Sequence, residues 1–196
     1  EASIVNVLSP GDRIIVVRGG KFGERFGDIA ISCGVEVIPI DIEWGTAPEP
    51  EAIRAELDKN PGVKGVYTTL CETSTATVYD VKSIGEVVRK TDALFICDVI
   101  SGLGADGFEN DAWGVDIAVC GSQKGLMIPP GLACCSVSAK AWKAVEMSKL
   151  PKFYFNFKKY KKAYADTDTP FTSAITLVIG LRKAVDEINK IGIDNV

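Results

Sequence analysis

The sequence predicts an α/β protein, a three-layer α/β/α sandwich with a mostly parallel sheet. Short uninterrupted apolar runs, among them Leu94-Phe95-Ile96-Cys97 and Asp116-Ile117-Ala118-Val119-Cys120, are bounded by glycines and charges. Such runs read as strands covered on both faces. They alternate with segments of helical period, the pattern of βα units that build a parallel sheet. The chain has 196 residues and 46% apolar content, enough for one sizeable core.

Residues 1–8 are apolar enough for a buried helix, stopped by the turn sequence Ser9-Pro10-Gly11-Asp12. Arg13 to Val17 is a β-branched strand. Gly19-Gly20-Lys21-Phe22-Gly23 is a loop, and a helix over 24–33 completes the first βα unit. A strand over 35–40 precedes a helix over 49–58, where Ile53 and Leu57 share a face and Glu49 and Glu51 suit the N-terminal dipole. A strand over 63–69 runs into the hydroxyl-rich Thr68-Thr69-Leu70-Cys71-Glu72-Thr73-Ser74-Thr75. That run can meet a ligand, cap a helix or satisfy turn amides. Asp80 opens a helix with Ile84, Val87 and Val88 inward. After the strands ending at Asp98 and Cys120 come a strand over 132–137, running against the others, and a helix over 139–148. Residues 152–162 are basic and aromatic. The polar turn 166–172 leads into a long helix over 173–191 with Ile175, Val178, Leu181, Val185 and Ile188 along one stripe and Gly192 after it.

Ligands of open α/β sheets sit beyond the carboxyl ends of the strands. Asp98 and Lys124 stand just past two such ends, so both are expected in one crevice. Gly121 and Gly125 permit close approach around Ser122-Gln123-Lys124. An acid and an amine so placed suit pyridoxal phosphate. Its aldehyde needs a lysine for a Schiff base, and its ring nitrogen needs an acid to stay protonated. The lysine, once displaced by an amino acid, can carry the proton between Cα and the cofactor.

Asp98-Val99-Ile100-Ser101-Gly102-Leu103-Gly104, followed by Gly121-Ser122-Gln123-Lys124-Gly125 and Pro129-Pro130-Gly131, resembles the class V aminotransferases. The nearest branch is that of alanine–glyoxylate and serine–pyruvate or serine–glyoxylate aminotransferases, with relatives labelled soluble hydrogenase subunits. The resemblance implies transamination from alanine or serine to glyoxylate or pyruvate. It also implies that Phe22 stacks on the pyridine ring and Ile100 packs on the opposite face. Thr73 would reach the phenolic oxygen, and Gln123 the phosphate. Thr172 would reach the phosphate of a neighbouring subunit, so active sites would be shared across a homodimer. Residues 1–172 would form the large domain without its N-terminal phosphate loop, and 173–196 a helix leading toward a C-terminal small domain. The segment 152–162 would be extended near the subunit interface. Leu70-Cys71 and Thr169 depart from the family pattern.

Other readings are weaker. Cysteine desulfurases place His beside the lysine and over the ring, and this chain has no His. A dinucleotide binder wants G-x-G-x-x-G, which Arg18-Gly19-Gly20-Lys21-Phe22-Gly23 does not supply. The remaining alternatives are a non-catalytic domain that keeps the fold for dimerisation or binding and a relative that does other α-carbon chemistry on the same scaffold. A net charge of −4 gives no general attraction to nucleic acid or anionic membrane. No signal segment or membrane span is evident, so a cytoplasmic location is expected. Cys97, Cys120, Cys134 and Cys135 are expected as small hydrophobes in buried strands, and no metal site is expected.

Overall fold

The computed structural model describes residues 1–196. A short helix, α1 (Ala2–Val5), leads by the Ser9–Asp12 turn into strand β1 (Arg13–Arg18). Then follow α2 (Lys21–Ser32), β2 (Glu36–Asp41), α3 (Pro50–Lys59) and β3 (Gly65–Thr69). A small antiparallel hairpin, β4 (Cys71–Glu72) and β5 (Thr77–Val78), interrupts the alternation before α4 (Val81–Val88). Next are β6 (Leu94–Asp98), β7 (Ile117–Gly121) and β8 (Ala133–Val137), then α5 (Ala139–Met147), α6 (Phe157–Ala165) and α7 (Ile175–Ile191).

The six main strands form one sheet in the order β2-β1-β3-β6-β7-β8. All neighbours are parallel except β7 and β8. Successive residues of a strand face opposite sides of a sheet, and both sides here are packed. Ile15, Val17, Val66, Phe95 and Cys97 meet α3 and α4 through Ile53, Leu57, Ile84, Val87 and Val88. On the other side Ile14, Val16, Tyr67, Ile96 and Ile117 meet Ile4, Leu8, Phe26, Ala30, Ala141 and Val145. These two cores make the expected three layers.

The helices begin where local chemistry allows. Asp80 caps α4 by accepting from Ser83 N at 3.0 Å, and Ser138 caps α5 by accepting from Ala141 N at 3.0 Å. Pro50 occupies the first turn of α3. Gly23 lets α2 lie on β1, since a Cβ there would stand 2.4 Å from Val17 O.

Several expectations are corrected. Helix α2 starts at Lys21 rather than 24, which moves Phe22 from a loop into the first helical turn. Residues 157–165 are helical, not extended, because Asn156 caps α6 by accepting from Lys158 N and Lys159 N. Cys97 and Cys120 are buried, but Cys134 is exposed and Cys135 half-buried, because β8 is an edge strand. The apolar stripe of α7 lies open in this chain: Ile175, Val178 and Val185 are exposed. No helix is long and apolar enough to cross a membrane.

Candidate active site

The parallel strands β1, β3, β6 and β7 end on one side of the sheet, and their exit loops surround a cavity of about 340 Å3. Its lining includes Phe22 after β1, Cys71 and Thr73 after β3, Asp98, Ile100 and Ser101 after β6, and Gln123 and Lys124 after β7. Pairing places Asp98 between Thr69 of β3 and Val119 of β7. Neighbouring strands lie about 4.8 Å apart, so the loop that carries Lys124 leaves the sheet beside Asp98.

Asp98 sits low in the cavity. Burial pushes its carboxyl up to about 6. The Ile100 amide, donating to Oδ1 at 2.8 Å, opposes that shift, the Glu72 charge adds to it, and Arg25 opposes it. Lys124 and Gln123 are exposed at the rim. Their loop is organised by the buried Ser122. Its hydroxyl donates to Pro129 O at 2.8 Å and accepts from Leu132 N at 3.2 Å, while Met127 N closes a turn onto Lys124 O at 2.8 Å. Gly125 is required there, because a Cβ would stand 2.1 Å from Leu103 O. A Cβ at Gly121 would meet only the Gln123 side chain, so that glycine is dispensable for packing.

Thr73 and Ser101 share a short hydroxyl–hydroxyl hydrogen bond that ties the loop after β3 to the loop after β6. Cys71 is half-buried, and its thiol is pushed up by burial and then by the Glu72 carboxylate. Arg25 stands 5.0 Å over the Phe22 ring and lines the same cavity. Ser3 lines it too, and its buried hydroxyl has no hydrogen-bond partner.

Six of the seven residues singled out in the sequence thus share one cavity: Phe22, Thr73, Asp98, Ile100, Gln123 and Lys124. Thr172 does not line it and is exposed. The sequence reading missed Ser3, Arg25, Ser101 and Ser122. Arg25 had a detectable signal, since Phe22, Arg25, Phe26 and Ile29 follow helical spacing and line the cavity together. Ser101 had none, as it acts through Thr73, distant in sequence, and Ser122 acts within its own loop through Pro129 and Leu132.

The description "Aminotransferase class-V" matches residues 2–196 as a family model. The chain belongs to the class V aminotransferase family. This class V chain is 42% identical to the soluble hydrogenase 42 kDa subunit of Anabaena cylindrica, over 100% of the chain and 52% of that protein. It is 35% identical to serine–glyoxylate aminotransferase of Methylorubrum extorquens, over 100% of the chain and 51% of the relative. Among solved structures it superposes on alanine–glyoxylate aminotransferase from Nostoc sp. with a TM-score of 0.94 at 30% identity, covering 99% of the chain and 52% of the other. The chain spans about half the length of the curated relatives it matches.

Class V aminotransferases are pyridoxal phosphate enzymes. The donor set here fits that group. One half-buried acid, one rim amine, an aromatic and an aliphatic wall, and an unpartnered buried hydroxyl surround a cavity of small-cofactor size.

Proposed function

We propose that this chain is the cofactor-binding half of a pyridoxal phosphate-dependent aminotransferase. It moves the amino group of a small amino acid, alanine or serine, to a 2-oxo acid such as glyoxylate or pyruvate. The observation that carries this reading is the meeting of Asp98 and Lys124, from the ends of adjacent parallel strands, on one cavity walled by Phe22 and Ile100. The names of the matching aminotransferases support the donor and acceptor class.

The cofactor supplies an aldehyde and an electron-withdrawing ring. The residues of this chain do the rest. Asp98 holds a proton at the ring nitrogen, where a cation in contact favours its charged form against the burial that opposes it. Phe22 and Ile100 would hold the ring between them, and aromatic stacking would add about 0.5–1.5 kcal/mol beyond buried area. Thr73, held by Ser101, presents a hydroxyl to the phenolic oxygen. Gln123 binds the phosphate. Lys124 would hold the cofactor through its amine and, when free, would move the proton at the substrate α-carbon as a general base. Thr172 contacts the phosphate of a partner subunit in a homodimer. Residues 1–172 are the large domain and 173–196 lead toward a small domain.

Lys124→Ala tests the assignment. The variant is expected to lose the visible absorbance band of the covalently held cofactor and all measurable amino transfer from alanine or serine to glyoxylate. A full-length variant that kept the band would refute it.

A further inference from the structure

Glu72 is fully buried, stands next to two cavity residues and does not itself line the cavity. Alternation along β4 explains the split: Cys71 and Thr73 face the cavity, and Glu72 between them faces α2. Its Oε2 accepts from Gly23 N at 2.9 Å, and its Oε1 from Phe22 N at 3.3 Å. Oε1 also accepts from the Ser74 hydroxyl at 2.6 Å and the Ser74 amide at 3.3 Å. The Ser74 hydroxyl in turn accepts from Lys21 N at 3.0 Å.

Three consecutive amides of the first turn of α2 therefore end on Glu72 or on the serine it holds. A helix leaves its first amides without partners inside the helix, and the N-cap residue Gly20 has no side chain to supply one. The cap comes instead from the hairpin that follows β3, the strand beside β1. Gly20 is small for a related reason, since a Cβ there would stand 2.5 Å from the Glu72 side chain. The clamped turn contains Phe22, whose ring is a wall of the cavity.

We propose that Glu72 is a positioning residue: its buried carboxylate clamps the first turn of α2 and so fixes the Phe22 ring against the bound cofactor. The inference rests on the reading of Phe22 as the stacking wall. Glu72 touches neither cofactor nor substrate, and it acts through the backbone of the residue that does. Because one carboxylate serves the helix start and the hairpin beside Thr73, the wall and the hydroxyl are held in a single frame.

The test is a double-mutant cycle on cofactor affinity in the full-length protein, read by titrating pyridoxal phosphate against visible circular dichroism. Glu72→Gln keeps the shape but turns an amide N–H₂ toward donors. It is expected to weaken cofactor binding about tenfold, within the usual range of coupling between contacting residues. Phe22→Ala is expected to weaken binding as well. In the Phe22→Ala background, Glu72→Gln should add less than about twofold, because the ring it positions is gone. Ser74→Ala is the milder variant, which keeps the Glu72 charge and removes its 2.6 Å bond. It should loosen binding about threefold, and again only when Phe22 is present. Full additivity with Phe22→Ala, or unchanged affinity in both clamp variants, overturns the positioning role while leaving the cofactor assignment standing. Unchanged affinity in Phe22→Ala alone removes the stacking wall, and the inference falls with it.

Discussion

Asp98 carries a carboxyl that burial pushes up to about 6 from an ordinary value of 3.8. Between those two values the folded chain binds a proton that the unfolded chain has released. Stability therefore declines as pH rises through that window, and the full penalty, about 3 kcal/mol at most, is present above it. Asp98→Asn removes the penalty. Urea titration of the cofactor-free protein is expected to show the variant more stable by about 1–3 kcal/mol at pH 7.5 and nearly unchanged at pH 4. On the proposed reading, in which Asp98 is the acid partner of the ring nitrogen, the same change should slow α-proton removal about a hundredfold or more in single-turnover measurements. A gain in stability with a loss in rate is the signature of a strained functional residue.

The loop after β7 and the start of β7 each depend on close contacts made by one residue. Gly125 packs its backbone against Leu103, and Gly125→Ala forces a Cβ to within 2.1 Å of a carbonyl oxygen that cannot yield without moving the loop. Steady-state assays are expected to show kcat down by about tenfold or more, because a displacement near 1 Å at Lys124 is enough for that. Calorimetry should show a stability loss of only about 1–3 kcal/mol. Asp116 does the opposite job. It is buried, accepts from Phe95 N at 2.9 Å and from the Ser138 hydroxyl at 2.6 Å, and so joins β6, β7 and the cap of α5. Asp116→Ala strands a buried amide and is expected to reduce the unfolding free energy by about 2–4 kcal/mol in urea, with KM unchanged in the surviving folded fraction.

At the scale of the whole molecule, the exposed Thr172 and the open apolar stripe of α7 bear on assembly. If Thr172 serves the partner's cofactor, a hybrid dimer of one Lys124→Ala subunit and one Thr172→Ala subunit contains one site with both defects and one with neither. Mixing the two variants under subunit exchange should then give each hybrid dimer up to about half of wild-type activity, or about a quarter for the whole mixture. No recovery, with hybrid formation confirmed by tagged subunits, would place Thr172 outside a shared site.

The sequence by itself determined the layers and the cofactor class. Apolar runs broken by glycine and charge marked β1, β3, β6 and β7, because a strand buried on both faces has no polar alternation to hide it. Asp98 and Lys124 were legible for the same reason: each is the first charged residue after such a run. Tertiary structure alone decided the clamp of Glu72 on α2, the tie of Thr73 to Ser101 and the exposure of Cys134 on an edge strand. Those depend on which strands become neighbours and which side of the hairpin faces the helix. Local periodicity carries no record of partners dozens of residues away, and only the closed fold brings them within hydrogen-bond distance.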